Sequence, residues 1–538
     1  MDRCFFEMAK TPREDDRTSP CLVIFTQRAD PTDTMGRMVR FRPLMCSSAL
    51  ALLAIACDPK AASTSPYYGE LESASARPDT VGDPEGSIRL VMHDPTGRDA
   101  PTERCEIELC TSLLELIEGA ETSIDFAVYG MRHQGPLFDA LEAAKARGVK
   151  VRGVVDRNVA GENYYTSTDE MVARLGQIRD DRKADQQLER EQKSSDRQMK
   201  FDGEPACERP EGFNGFVQCL AYDLGDQCLL ATHASREPFG VSETGDDARA
   251  FNKIMHNKYF VVDGRYLWTG STNVSNSGTG GYNANLVLVL DSPTVASWYA
   301  REFETMWSGK YHTLKEPSGT LHTRVGDAEV KVLFSPQDRA ISKGVRPLLQ
   351  RAKKRIDIAV FFLTNKHITK DLIEAHARGV EVRVILDATA AKNGYTKHEL
   401  LREVGIPVKV EAWGGKMHMK SAAIDGKILI AGSMNWTSAG EYDNDENTLL
   451  IKSPTLATQY HEQFEQLWAN IPDQWLSANP DPESRASGSS CTDGFDNDYD
   501  GQDDGEDPGC GDAPPALPAL PPHWVVAKDQ ISCQHPPR

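Results

Sequence analysis

One short motif occurs twice in the chain, and this repetition constrains the fold more than any other feature of the sequence. Each copy consists of a histidine, one spacer residue, a lysine, four further residues and an aspartate. The two copies are His256, Lys258 and Asp263, and His418, Lys420 and Asp425. Such a repeat indicates an internal duplication, and we expect the two halves to build one active site.

The residues after each motif are repeated as well. Ser271 and Asn273 follow the first aspartate within a Gly-Ser-x-Asn sequence, and Ser433 and Asn435 follow the second. A further asparagine stands 14 residues after each serine, at positions 285 and 447. Each copy then reaches Ser-Pro-Thr, which predicts a helix start because serine caps a helix and proline fits its first turn.

The sequence upstream of each motif predicts the rest of each half. Residues 124–129 and 356–361 are apolar and rich in β-branched and aromatic side chains, as buried strands are. Each leads into a helical stretch ending at Gly148 or Gly379 and then into a second apolar strand. Strand, helix and strand form a parallel crossover. We therefore predict an α/β fold in which two pseudo-symmetric α/β/α sandwich halves form one bilobal core.

Composition divides the chain into five predicted parts. They are an N-terminal extension with a signal or lipoprotein-type peptide (1–57), a tether (58–100), the first half (101–312) with an insert at about 158–249, the second half (313–475), and an acidic, cysteine-bounded and proline-rich tail (476–538). The insert is interpreted either as a lid over the site or as an inert surface elaboration.

The N-terminal region predicts export. Three arginines precede an apolar run at 44–56 that is too short to span a bilayer but suits a secretory signal. The run ends at Cys57 in a sequence, Ala-Ile-Ala-Cys, that resembles a bacterial lipoprotein processing site. We therefore expect an exported protein, either secreted or held in the cell envelope as a lipoprotein.

Cysteine usage agrees with export, because eight cysteines follow Cys57. An even number in an exported protein indicates disulfides, although spacing alone does not determine their pairing. We expect two local pairs, Cys105 with Cys110 and Cys491 with Cys510.

The segment between Cys491 and Cys510 holds eight acidic residues and no basic one. Five aspartates and Gly501 fall at positions of a calcium-loop template. The aspartates are Asp496, Asp498, Asp500, Asp504 and Asp507. Asp507 stands where the template usually has glutamate. A structural calcium site and a merely solvated acidic loop both fit this pattern, and such a calcium site is expected to lie far from the chemistry.

The paired motifs suit the cleavage of a phosphodiester. Residues two apart on a strand share a face, so each motif histidine points the same way as its lysine. One imidazole can attack phosphorus while the other protonates the departing alcohol, and the lysines neutralise the phosphoryl oxygens, so the chemistry needs no metal or other cofactor. Asp263 and Asp425 are candidates to hold the far ring nitrogens. Six neutral residues are candidates to bind the substrate: Ser271, Asn273, Asn285, Ser433, Asn435 and Asn447.

These residues resemble the phospholipase D superfamily, whose hallmark is this duplicated motif followed by Gly-Ser-x-Asn. The resemblance covers residues 105–468 apart from the insert. It implies metal-independent hydrolysis or phosphatidyl transfer through a phosphohistidine, with His256 as the nucleophile and His418 as the general acid, although pseudo-symmetry leaves the reverse assignment open. One departure is visible, because Glu446 fits the usual acidic ending whereas the first half has Ala284 there.

Net charge favours lipid over nucleic acid as the substrate. The chain has 60 basic and 80 acidic residues, a formal charge of -20, and affinity for nucleic acid rests on basic side chains. We therefore predict an exported phospholipase D-type phosphodiesterase that hydrolyses phospholipid headgroups at a membrane surface and needs no obligate protein partner. The alternatives are a secreted endonuclease, with nucleic acid as substrate, and a non-catalytic, calcium-stabilised surface binding module.

Overall fold

The computed structural model describes residues 82–161, 163–194, 211–214, 216–224, 228–235, 253–393, 395–498, 501–511 and 524–527. The predicted signal region, most of the predicted tether, Asp500 and the proline-rich stretch at 514–522 lie outside these residues.

The described residues form twenty strands and eleven α-helices. In chain order, the strands are β1 (Ser87–His93), β2 (Ser123–Val128), β3 (Met131–Arg132), β4 (Lys150–Val155), β5 (Ile178–Asp180), β6 (Phe216–Asp223), β7 (Cys228–Ser235), β8 (Lys258–Val262), β9 (Tyr266–Gly270), β10 (Val274–Ser275), β11 (Asn285–Asp291), β12 (His322–Val325), β13 (Ala328–Ser335), β14 (Arg355–Val360), β15 (Glu381–Leu386), β16 (Val408–Val410), β17 (Lys420–Ile424), β18 (Ile428–Gly432), β19 (Glu446–Lys452) and β20 (Trp524–Ala527). The helices are α1 (Glu108–Gly119), α2 (Gly135–Ala146), α3 (Thr168–Leu175), α4 (Arg182–Ser194), α5 (Pro293–Trp307), α6 (Arg346–Arg351), α7 (Lys366–Ala377), α8 (Ala388–Lys392), α9 (His398–Glu403), α10 (Ser438–Tyr442) and α11 (Pro454–Asn470).

Two large mixed sheets repeat one strand order. The first runs β1-β11-β9-β8-β2-β4-β5, and the second runs β12-β13-β19-β18-β17-β14-β15-β16. Leaving out the extra edge strand β12, each strand of the first sheet has a counterpart at the same place in the second. In both sheets the two predicted apolar strands pair in parallel and the motif strand is antiparallel to the first of them. The predicted α/β fold with two pseudo-symmetric halves is therefore confirmed.

Local signals define the helix ends as predicted. The Ser292 hydroxyl accepts the backbone N–H of Val295 at the start of α5, and Ser453 does the same for Leu456 in α11. Gly148 and Gly379 follow α2 and α7 with φ of 96° and 88°, the left-handed region in which glycine avoids a Cβ clash.

Side chains alternate between the faces of each sheet, as strand geometry requires. On β8, Phe260 and Val262 pack in one cluster with α1 and α2, whereas Tyr259 and Val261 face a core shared by both sheets. This shared core also contains side chains of α5 and α11. The layers are thus outer helices, a sheet, a joint core with two helices, the second sheet and further outer helices.

The tether prediction is wrong for residues 87–93. Strand β1 pairs with β11 along its whole length and forms an edge of the first sheet. Its apolar side chains Leu90 and Val91 are buried on opposite faces of that sheet. The segment around this short strand is rich in Ser, Pro, Gly and Asp, so its average composition predicts a tether and does not indicate the strand.

The described part of the insert belongs to both halves. Strand β5 extends the first sheet beside β4. The β6–β7 hairpin pairs with β20 and packs Leu220 and Tyr222 into the outer core of the second half. Neither predicted role of the insert, a lid or an inert elaboration, describes these segments.

Both expected local disulfides are present, Cys105–Cys110 and Cys491–Cys510, and Cys219 is also disulfide-bonded. Within the described residues, no helix has the length and apolar character that crossing a membrane requires.

Candidate active site

The two motif histidines lie where the halves meet. His256 and His418 directly precede Asn257–Lys258 and Met419–Lys420, at the starts of β8 and β17. The backbone N–H of His256 donates to the carbonyl of Asp445 in the second half at 2.9 Å, and that of His418 donates to Ala284 in the first half at 2.9 Å. Each motif strand is therefore fixed by the opposite half, as an active site at the symmetry seam requires.

Both motif lysines lie in this seam and share their histidine's side of the strand. The Lys258 ammonium donates to the His256 carbonyl at 2.8 Å, and that of Lys420 donates to the His418 carbonyl at 2.7 Å. Both lysines are buried. Their charges act on both histidines and lower the pKa of each after the larger effect of burial. The four groups thus surround one small volume, as the sequence predicts.

The partner of each imidazole comes from the other half. His256 Nδ1 lies 2.8 and 2.9 Å from the two carboxylate oxygens of Glu446. His418 Nδ1 lies 3.0 Å from the Ser271 carbonyl oxygen and 3.2 Å from the amide oxygen of Asn285. A carbonyl only accepts, and so does an ionised carboxylate. Nδ1 of His418 therefore carries the proton, and Nδ1 of His256 does so when Glu446 is ionised, which leaves Nε2 of each ring to react.

The two imidazoles are electrostatically different, because Glu446 has Ala284 as its counterpart in the first half. A carboxylate on Nδ1 makes the ring more basic and stabilises positive charge on it. His256 has this partner, whereas His418 has two neutral ones. This difference suits His256 to attack phosphorus and His418 to give up a proton.

The motif aspartates do not hold the histidine rings, so that prediction is wrong. Asp263 accepts the backbone N–H groups of residues 121–123, and Asp425 accepts those of residues 353–355. Both have positive φ, 53° and 56°, and tie the turn after the motif strand to the start of β2 or β14. At about 3.3 Å per residue, seven residues of extended chain place each aspartate on the order of 20 Å from its histidine.

The geometry around both serines repeats in the two halves and positions the rings. The Ser433 hydroxyl donates to Glu446 at 2.7 Å and accepts the backbone N–H of Asn447. Ser271 donates to the Asn285 amide oxygen at 2.8 Å. Their protons are thus already engaged, so Ser271 and Ser433 position the rings, whereas the buried NH₂ of Asn285 has no hydrogen-bond partner among the described residues and remains a candidate donor to phosphate.

The remaining asparagines divide into two groups. The Asn447 amide oxygen accepts from Thr269 and Tyr299, and its NH₂ donates to Asn257, so Asn447 is part of the packing below the site. The buried amide oxygens of Asn273 and Asn435 accept no hydrogen bond from the described residues. A phosphate oxygen accepts hydrogen bonds, so only the NH₂ groups of these two side chains could bind it, and the substrate role of Asn273 and Asn435 stays a prediction.

Asp156 and Asp387 also position the motif histidines, and the sequence motifs do not include them. Asp156 accepts the N–H of Met255 at 2.8 Å, and Asp387 accepts that of Met417 at 3.1 Å. Each therefore fixes the residue directly before a motif histidine. A signal was present, because each aspartate directly follows the second apolar strand of its half, β4 or β15.

Burial dominates the electrostatics of the empty site. It lowers the pKa of His256, His418 and Lys420, lowers the pKa of Lys258 to about 7, and raises that of Glu446 to about 8. A charged group in this volume lacks solvent to stabilise it. The anionic phosphate of a diester would offset the lysines and raise the pKa of the general acid, so the site is charged most favourably when it holds its substrate.

Aromatic rings line the site on both sides. The Tyr129 ring at the end of β2 lies 5.5 Å from that of His256, and the equivalent Phe361 ring lies 5.1 Å from His418. Tyr164 contacts Tyr129 and is 52% exposed. The rim therefore offers apolar surface beside the reacting groups.

The acidic C-terminal segment packs beside the site, so its predicted distance from the chemistry is wrong. Asp493 accepts the hydroxyl of Tyr282, two residues before Ala284. Lys416, two residues before His418, donates to the Asn497 carbonyl at 2.8 Å. The segment therefore spans both halves at the seam.

The predicted calcium-loop geometry is formed only in part. Asp496 and Asp498 lie close to Glu483, which the template did not include. Asp504 instead accepts the backbone N–H groups of residues 493 and 494, and Asp507 accepts that of Gly509. Calcium binding by this segment stays a prediction.

A family model described as the PLD-like domain of cardiolipin synthase matches residues 227–307 and 345–468. The mitochondrial cardiolipin hydrolase of Chlamydomonas reinhardtii is 37% identical over 120 residues, which are 22% of this chain and 54% of that protein. A phospholipase D of Rickettsia conorii is 32% identical over 143 residues, 27% of this chain and 69% of that protein. Phosphatidylserine synthase of Haemophilus influenzae matches with a TM-score of 0.44 and 13% identity, over 73% of this chain and 87% of that one. The chain spans about half the length of the first curated relatives that it matches.

Proposed function

Because the chain belongs to the phospholipase D superfamily, we propose that it is an exported phosphodiesterase that hydrolyses phospholipid headgroups through a phosphohistidine. One observation carries the proposal: two histidines and two lysines from the two halves share one buried volume, and each ring is oriented by the other half. This arrangement provides a nucleophile, an acid and positive charge without a metal in the chemical step.

The proposed reaction has two steps. First, Nε2 of His256 attacks phosphorus, the bond from phosphorus to the headgroup oxygen breaks, and His418 gives its proton to that oxygen. Then His418 takes a proton from water, the water oxygen attacks phosphorus, and the phosphorus–nitrogen bond breaks. Phosphatidic acid leaves, and both imidazoles return to their starting states. Lys258 and Lys420 offset the charge on the phosphoryl oxygens throughout.

The lipid substrate is supported by charge and by the rim. The acidic segment between Cys491 and Cys510 contacts the seam through Asp493 and Asn497, and its described carboxylates would repel a long polyanion. The exposed ring of Tyr164 beside Tyr129 offers contact for a lipid. Several relatives are named cardiolipin hydrolases, which agrees with a phospholipid substrate.

Export is supported by the disulfides, because such bonds persist in oxidising compartments. Cys105–Cys110 and Cys491–Cys510 both join described residues. The apolar run before Cys57 is the proposed signal. Cell fractionation, with mass measurement of the N-terminal peptide, tests this part: a lipid-modified Cys57 or a nearby cleavage site supports it, and cytosolic protein with an intact N-terminus contradicts it.

A comparison of substrates tests the proposed activity. The full chain, with no metal added, is incubated with vesicles of phosphatidylcholine or cardiolipin and, separately, with plasmid DNA. We expect release of phosphatidic acid from lipid and intact plasmid. The double variant His256→Ala/His418→Ala is the matched control and should release nothing. Nicked plasmid with intact lipid would assign the chain to the nuclease alternative, and no turnover of either would favour the non-catalytic binding module.

A further inference from the structure

A cluster of buried titratable side chains lies behind the active site and takes no part in the reaction described above. Asp181 and Asp185 stand one turn apart at the start of α4, and His312 follows α5 in a short 3-10 turn. The side chains of Asp181 and His312 are 0% exposed and that of Asp185 is 2% exposed. Nε2 of His312 lies 3.1 Å from Asp185 Oδ1 and 3.5 Å from Asp181 Oδ2.

The three facing atoms have no hydrogen-bond partner among the described residues. Asp181 Oδ2, Asp185 Oδ1 and His312 Nε2 are all buried, and they contact one another at ion-pair distances without hydrogen-bond geometry. The other oxygen of Asp181 accepts the backbone N–H of Arg157 at 2.8 Å. Buried carboxylate oxygens without a partner are costly, so these atoms point to a ligand between them.

The surroundings have an excess of acidic groups. Lys315 pairs with Asp445 at 2.7 Å and with Glu302. The buried carboxyl groups of this region are Asp156, Asp181, Asp185, Glu302 and Asp445. Carboxyl groups therefore outnumber the cationic groups near them, which are His312, Lys315 and, beside Asp156, Lys258. A divalent cation would offset two of the negative charges.

The donor geometry fits a metal ion. Bonds of about 2.0–2.2 Å from a zinc ion to nitrogen and oxygen ligands place neighbouring donors about 3–3.5 Å apart, which agrees with the separations around His312 Nε2 of 3.1 and 3.5 Å. On the other side of the ring, Nδ1 lies 3.2 Å from Asp445 Oδ2, an ion-pair distance without hydrogen-bond geometry. Mixed nitrogen and oxygen donors suit zinc or manganese better than calcium or magnesium.

We propose that Asp181, Asp185 and His312 bind a structural divalent transition-metal cation, for which Zn²⁺ is the appropriate probe. The inference goes beyond the proposed function, because the cation has no role in the chemical step.

The site is placed to hold the catalytic region in position. The backbone N–H of His312 donates to Asp445 Oδ1 at 2.8 Å, and the Asp445 carbonyl accepts the N–H of His256 at 2.9 Å. Glu446, the partner of the His256 ring, is the next residue. The cation would thus join the insert helix α4 to the backbone that carries both members of the His256–Glu446 pair.

Zinc binding by the full chain tests the proposal without any activity measurement. Protein treated with chelator and dialysed is titrated with Zn²⁺ alone, and bound metal and the melting temperature are recorded. We expect about one tightly bound zinc per chain and a higher melting temperature, because a ligand that binds only the folded state stabilises it. Asp185→Asn keeps the side-chain shape and should weaken this binding by at least about 100-fold.

The matched control is Asp139→Asn, at an exposed aspartate of α2, which should leave the tight zinc site unchanged. Zinc X-ray absorption of the wild-type protein gives a second measurement that needs no variant, and it should show one imidazole and carboxylate oxygens around the metal. An absence of tight zinc binding, equal binding by folded Asp185→Asn, or a metal environment without imidazole would overturn the proposal. In that case His312 would instead be an imidazolium paired with the same carboxylates.

Discussion

Replacing His418 by alanine should abolish turnover of a phospholipid but leave one rapid half-reaction on a nitrophenyl phosphodiester. Nitrophenolate leaves without a proton, so attack by His256 can still occur, whereas water then has no general base. We expect a burst of about one nitrophenolate per active site followed by turnover reduced roughly 10²–10⁴-fold, the usual contribution of general acid–base catalysis. Stopped-flow absorbance measures both phases.

His256→Ala is the matched variant, since it removes the other imidazole at the equivalent position of the first half. It should show neither burst nor turnover on either substrate, because no nucleophile remains. A burst from His256→Ala together with none from His418→Ala would reverse the two roles. That outcome would also show that the carboxylate partner of His256 and the neutral partners of His418 do not determine which histidine attacks phosphorus.

Replacing Glu446 by glutamine should lower kcat roughly 10²–10⁴-fold, comparable to removal of the orienting carboxylate in other histidine-based sites. The substitution keeps shape but takes away the charge beside His256 Nδ1. A glutamine NH₂ can donate to Nδ1 and favour the tautomer with the proton on Nε2, which cannot attack. Steady-state kinetics should show the loss in kcat with little change in KM.

The pH profile distinguishes this role from a purely structural one. Burial raises the pKa of Glu446 to about 8 in the empty enzyme, against the opposing effect of Lys258. The carboxylate is ionised above that pH, whereas burial lowers the pKa of Lys258 to about 7, so kcat/KM of the wild type should pass through a maximum between about pH 7 and 8, and Glu446→Gln should lose the acidic limb. Asn285→Ala is the matched control at His418; it keeps the Ser271 carbonyl and should cost at most about 10-fold. Equal losses of kcat in Glu446→Gln and Asn285→Ala would contradict the role assigned to Glu446. An acidic limb of kcat/KM that is unchanged in Glu446→Gln would contradict it as well.

Much of the site followed from local patterns. The duplicated motifs predicted two halves, and strand alternation predicted that each lysine shares a face with its histidine, because both depend on neighbouring residues only. The contacts across the seam did not follow. Glu446 lies 190 residues from His256, and no pattern in either segment indicates that the two meet.

The misplaced aspartates show how proximity in sequence can mislead. Asp263 and Asp425 were assigned to the rings because they complete the motif, yet the length of an extended strand separates them from the histidines. The Asp181–Asp185–His312 cluster could not be predicted from the sequence, because its members are far apart in the chain. Its members come from the insert and from a turn after α5, and only folding brings them together.

The composition of the C-terminal segment does not predict where the segment lies. An acidic, glycine-rich stretch usually indicates a solvated loop, but here Asp493 and Asn497 contact Tyr282 and Lys416 at the seam. Those contacts use a phenol and an ammonium from the loops before β11 and β17, and the acidic composition of the segment does not indicate them.

The most direct test of two imidazoles acting on one phosphorus is to trap the covalent intermediate. His418→Ala is mixed with the nitrophenyl diester, quenched within the burst under alkaline denaturing conditions, digested and analysed by mass spectrometry. We predict a phosphoryl adduct on His256 in the peptide that contains Asn257 and Lys258. A burst with no adduct on any histidine, or an adduct only elsewhere in the chain, would contradict the mechanism.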